Sequence, residues 1–109
     1  MIIDYYKTAA GKEPFVEWFE EIKDTGIKTK IITKVKFLQI GNFSQCKPVG
    51  DEVFERKLYG IRLYFLKYQN AIVILLLGGE KDKQQQRDID KAKEYAKDYF
   101  DRQKRGIYG

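Results

Sequence analysis

Histidine is absent from this chain. Its absence removes the usual general base near neutral pH, any serine or cysteine triad, and the common zinc sites. Cysteine occurs once, at Cys46, which excludes an internal disulfide and fits a reducing compartment; a structural thiol is its simplest role. Long apolar runs are missing too. The longest, Ala71 to Leu77, is far too short to span a bilayer. The opening residues, Met1-Ile2-Ile3-Asp4, are too few and too polar for a signal peptide. These absences together point to a cytoplasmic protein with no membrane contact.

What remains is enough for one ordinary domain. The chain has 109 residues, 43% hydrophobic and 34% charged, a composition that folds and does not stay disordered. Lysine and arginine number 21 against 16 acidic residues, for a net charge of +5. That excess favours a polyanionic partner, nucleic acid or an acidic protein, although charge alone fits a basic protein without one equally well.

Periodicity divides the chain into elements. Ile2 to Tyr6 is β-prone. Pro14 suits a helix first turn, and Phe15, Trp18, Phe19 and Ile22 recur at helical spacing until Gly26. A second helix is expected from about Lys28 to Ile40, with Ile31, Val35 and Leu38 as its stripe and Lys28, Lys30, Lys34 and Lys36 around it. Those lysines form either a solvated face or a cationic surface that lies along nucleic acid. Residues 43–51 read as a loop containing Pro48 and Gly50.

Three strands follow. In the first, from Val53 to Tyr59, alternation puts Phe54, Arg56 and Leu58 on one face and Val53, Glu55 and Lys57 on the other. After Gly60 comes Ile61 to Leu66, whose Ile61, Leu63 and Phe65 face a core while Arg62 and Tyr64 share a partly polar face. Ala71 to Leu77 does not alternate, so it should be central, covered on both sides and ended by Gly78-Gly79. Short connections favour an antiparallel meander. Asp82 and Gln85 have capping-box spacing, which starts a last helix near Lys83 with Ile89, Ala92, Ala96 and Phe100 as its stripe. Asp98 and Arg102 can pair on it, and residues 102–109 should fray into a basic tail.

Two motifs in this order resemble a known family. The segment Gly60-Ile61-Arg62-Leu63-Tyr64-Phe65 is similar to the G-x-R-x-Y-F segment of RelE-superfamily toxins. The segment from Ile74 to Ile89 resembles the L-L-x-G-G-x-K-x-x-Q-x-x-D-I pattern of HigB-like addiction module killer proteins, with the glutamine at 85 or 86. The resemblance spans nearly the whole chain. It implies an α+β domain, β-α-α-β-β-β-α, with a small, mixed, mostly antiparallel four-stranded sheet packed by helices. It further implies a type II toxin restrained by a cognate antitoxin of helix-turn-helix type. The activity implied is metal-independent endoribonuclease cleavage of mRNA on the ribosome, with no cofactor. Some HigB proteins use histidines, and their mechanism cannot pass to a chain that has none. The ParE branch of the same fold, which poisons DNA gyrase without chemistry, is the alternative, together with a non-toxic basic RNA-binding domain.

Attack by an RNA 2′-hydroxyl needs a base, a stabilised phosphorane and a proton for the leaving oxygen. Arg62 matches the family arginine and can grip phosphate bidentately. Lys81, just after the glycine pair and beside a helix start, is a phosphate ligand or proton donor. Lys57 is a surface cation that nearby cations could turn into a base. Tyr64 could stack on a base or donate a proton, or simply cover the sheet. Glu55 offers a conventional base, or pairs with Lys57. Arg56, Lys34, Lys83 and Arg87 complete the expected RNA-binding surface. The general base stays open between these groups.

Overall fold

A computed structural model describes residues 1–58, 60–79 and 82–106. The order is β1 (Ile2–Tyr5), α1 (Pro14–Glu20), α2 (Thr25–Gln39), β2 (Cys46–Gly50), β3 (Val53–Leu58), β4 (Ile61–Tyr68), β5 (Ala71–Gly79) and α3 (Asp82–Arg105). The strands form one mixed sheet in the order β1-β5-β4-β3-β2. Only the β1–β5 pair is parallel; the other three are antiparallel. The α+β class and the mixed, mostly antiparallel sheet therefore hold, but the sheet has five strands and not four. The extra strand lies in the expected loop, where Cys46 pairs with Arg56 and Pro48 with Phe54. Proline belongs on such an outer strand, since its missing N–H leaves no inner ladder broken.

Helices cover both faces. Phe15 of α1 and Ile31, Val35 and Leu38 of α2 pack on Leu58, Ile61, Leu63, Phe65, Ile72, Ile74 and Leu77. On the opposite face, Ala92, Ala96 and Tyr99 of α3 pack on Val53, Tyr64, Leu66, Val73, Leu75 and Leu76. A bulge in β5 explains why both Leu75 and Leu76 face α3. Tyr64 pairs with Leu76 and Phe65 with Ile74, so Leu75 is one residue too many. Beyond it the strand's parity is reversed, and Gly78, paired with Arg62, comes to lie on the α3 side.

Three boundaries move from their expected places. Gly26 does not end α1; it sits in the first turn of α2, where the Asp24 carboxylate accepts from Gly26 N at 2.8 Å and Ile27 N at 3.2 Å. The glycine pair is not beyond β5 but forms its last two residues. The C-terminal tail is helical to Arg105. There Arg102 is bonded to Asp98, and it also donates to the Lys7 carbonyl at 2.7 Å. The Tyr6 hydroxyl donates to Asp98 at 2.5 Å, which ties the helix end to the residue after β1.

Candidate nucleic-acid interface

The residues singled out in the sequence separate into two places. The first lies between the sheet and the start of α3. Because α3 covers that face, Arg62 is only 3% exposed and Tyr64 is fully buried, not on an open polar face. Glu55, buried beside them, does not pair with Lys57 as expected: its partner is Arg62. Arg62 Nε lies 2.8 Å from Glu55 Oε1, although its N–H is not aimed at that oxygen, so charge more than alignment holds the pair. A second guanidinium nitrogen, Nη1, donates to the Gly79 carbonyl at 3.0 Å. Lys47 Nζ approaches the other Glu55 oxygen at 3.7 Å from solvent.

Asp88 closes the cluster from above. It accepts from Gln84 at 3.1 Å and sits directly on Gly78. A Cβ on that glycine would overlap Asp88 Oδ2, so no side chain larger than hydrogen fits without movement. The Tyr64 hydroxyl makes no hydrogen bond to the described residues. Burial, and then the charges of Glu55 and Asp88, push its pKa well above the ordinary phenol value against the pull of Arg62. Tyr64 is thus a neutral phenol, and its enclosure keeps it from stacking on a base in this conformation.

The second place is open. Lys34 of α2, Gln45 before β2, and Arg56, Lys57 and Leu58 of β3 line a cavity of about 340 Å³. Its surface is overwhelmingly polar because Arg56 and Lys57 end a strand there while α2 brings Lys34 alongside. Arg56 Nη1 donates to the Lys57 carbonyl at 2.6 Å, which fixes the guanidinium at the rim. No described carboxylate forms an ion pair with Lys34, Arg56 or Lys57. Three cations left uncompensated around one concavity favour an anion there. Alternation alone separates Arg56 from Lys57; only the packing of α2 against the strand end joins them with Lys34.

The remaining expected residues are placed as follows. Lys83 and Arg87 are exposed on α3 and do not line this cavity. Lys81 lies outside the described residues. A larger groove of about 590 Å³ runs between the β2–β3 turn and α3, but five of its eight lining residues are carboxylates, so it repels a polyanion. Among the described residues no group of three His, Cys, Asp or Glu side chains could hold a metal ion. No described helix is long and apolar enough to cross a membrane.

Sequence reasoning missed Gln45, Phe43 and Lys67. The Lys67 ammonium sits over the Phe43 ring at 4.2 Å from its centroid and over the Phe54 ring at 4.8 Å. The only signal was the odd-numbered lysine at the end of β4, which no local pattern connects to residue 43.

No known family profile matches the chain. A protein of Haemophilus influenzae, described only as uncharacterized, is 39% identical over 82 residues, which span 72% of this chain and 82% of that protein. Identity of that level over that share of both chains shows common descent, and the chain belongs to the same family as this Haemophilus influenzae protein.

Proposed function

We propose that the protein is the toxin of a type II toxin–antitoxin pair, an endoribonuclease that cleaves mRNA on the ribosome without a metal or other cofactor. The observation that carries this reading is the cavity of Lys34, Arg56 and Lys57, three cations without a described carboxylate partner. The element order supports it, since one added strand is the only change from the order that the RelE-like resemblance implies. In this reading Arg56 and Lys34 hold the RNA backbone, and Lys57, exposed at the strand end, is the group nearest to the reacting phosphate. Arg62 is a positioning residue in the conformation described, because it fixes Glu55 and the Gly79 carbonyl at the end of β5. A phosphate reaches Arg62, or the enclosed Tyr64, only when the start of α3 lifts. Lys83 and Arg87 belong to that same segment and would meet RNA together with it, and Lys81, which lies outside the described residues, is kept as a phosphate ligand on the resemblance alone. An antitoxin of helix-turn-helix type silences the protein by covering the basic surface with an acidic segment.

The test is expression of the chain alone, with growth, translation and mRNA integrity followed after induction. Growth arrest with rapid mRNA loss, abolished by combined Arg56→Gln and Lys57→Gln substitutions in a folded protein, is the expected result. DNA damage with intact mRNA would move the protein to the gyrase-poisoning branch, and normal growth would leave a non-toxic nucleic-acid-binding domain.

A further inference from the structure

We infer that the outer face of β3 is a single-stranded nucleic-acid site in which Phe54 and Phe43 stack an unpaired base beside a phosphate held by Lys34, Arg56 and Lys57. This rests on the reading of the cavity as an RNA-backbone site and adds a base subsite to it. Phe54 and Arg56 are alternate residues of one strand, so they face the same way about 6.8 Å apart. That spacing lets one nucleotide put its phosphate at Arg56 and its base at Phe54. Both phenylalanines are half-buried, with Phe54 stacked on Phe65 at 5.6 Å and Phe43 on the same ring at 6.3 Å. Phe65 is wholly buried, so the pair of outer rings stands on a rigid base.

The Lys67 ammonium lies over both rings, is itself exposed, and forms no ion pair with a described residue. An exposed lysine is a mobile cover. A base can take its place over the rings, and the displaced ammonium then meets the adjoining phosphate. Cys46 marks the continuity between the two halves. It pairs with Arg56 on the neighbouring strand, and both Arg56 and Lys67 act electrostatically on its thiol. Aromatic faces next to a carboxylate-free basic concavity are the combination that binds unpaired strands with little sequence preference.

Binding is measured by fluorescence anisotropy on the full chain, with two labelled oligoribonucleotides of equal length, one intact and one abasic. The intact strand is expected to bind about tenfold more tightly, the usual size of one stacked base. Phe54→Leu, which keeps the packing on Phe65, should erase that advantage and leave abasic binding and the salt slope alone. Arg56→Gln should weaken both strands alike and reduce the slope of log K against log salt by about 0.7. Intact RNA should also slow alkylation of Cys46 more than abasic RNA does. Equal wild-type affinity for the two strands, or equal losses for both in Phe54→Leu, overturns the base subsite. Base-dependent binding without any mRNA cleavage supports the subsite and overturns only the ribonuclease reading.

Discussion

Replacing Arg62 by methionine should unfold much of the margin on which this protein stands. The side chain of Glu55 has no exposed surface, and Arg62 Nε is its near partner at 2.8 Å. Breaking a buried ion pair by removing one member costs about 3–5 kcal/mol, because a charge is left buried without compensation. Lys47 remains, but at 3.7 Å and with 59% of its side chain in water it compensates little. Gln85 Nε2, at 3.5 Å from Glu55, adds a weak donor. The lost bond to the Gly79 carbonyl, a charged donor on a neutral acceptor, adds about 1.5 kcal/mol. The total is about 5 kcal/mol against a stability of about 5–15 kcal/mol for a chain of this size. Urea unfolding, followed by Trp18 fluorescence and by circular dichroism, should show the midpoint falling by about 2.5 M for a slope of about 2 kcal/mol/M. Replacing both members, as Glu55→Leu with Arg62→Met, should recover at least about 2 kcal/mol of that loss, because the stranded charge is gone. A single variant within about 1 kcal/mol of wild type, or a double variant as unstable as the sum of its parts, would refute the reasoning. A loss of the proposed toxicity on changing Arg62 therefore says nothing about chemistry until the folded fraction has been measured.

Other consequences follow from the same neighbourhood and from the far end of α3. Gly78→Ala should lose about 1–3 kcal/mol from the clash with Asp88, and Asp88→Ala in the same chain should return most of it, read as coupling in a double-mutant cycle by urea unfolding. Tyr64→Phe should leave stability unchanged or raise it by about 1 kcal/mol in thermal unfolding, since the hydroxyl removed makes no bond to a described residue; a loss above about 1 kcal/mol would show that it has a partner. At Asp98, burial raises the pKa, but the bonds from Arg102 and Tyr6 outweigh it and hold the carboxyl below its usual range. A depressed folded pKa means that this contribution is complete above the unfolded value near 3.9 and is lost as pH falls through the folded one. Protection factors in the last turns of α3, corrected for the intrinsic pH dependence of amide exchange, should accordingly fall below about pH 4, and Asp98→Asn should remove that fall.

The legible parts of the fold were those written in local pattern. Pro14 and the Phe15–Trp18–Phe19 spacing announced α1, and the unbroken run from Ala71 announced a strand covered on both sides. Asp98 and Arg102 announced their pair by being four apart. The fifth strand was not legible, because Cys46-Lys47-Pro48-Val49-Gly50 carries proline and glycine and is held only by pairing with β3. The same holds for the site. Parity put Arg62 and Tyr64 on one face correctly, but no periodicity tells that α3 returns over that face and encloses them. Glu55 was assigned by adjacency to Lys57, whereas the sheet register places it opposite Tyr64 and diagonal to Arg62. The cluster of Lys34 with Arg56 and Lys57 joins two elements that no motif links.

The parallel edge of the sheet has a consequence in time. β1 is made before the other described strands, yet its sole strand partner among them is β5, with Ile2 opposite Ala71. At synthesis rates of about 5–20 residues per second, β1 waits roughly 3–14 s for that partner to be made. The second face of the sheet waits longer, because α3 follows β5 in the chain. Until then β4 and β5 expose apolar residues that nothing else covers, and non-local pairing of this kind closes slowly. Assembly therefore waits until α3 has been made, and a chain cut short within α3 leaves its strands open to aggregation instead of yielding a smaller working protein.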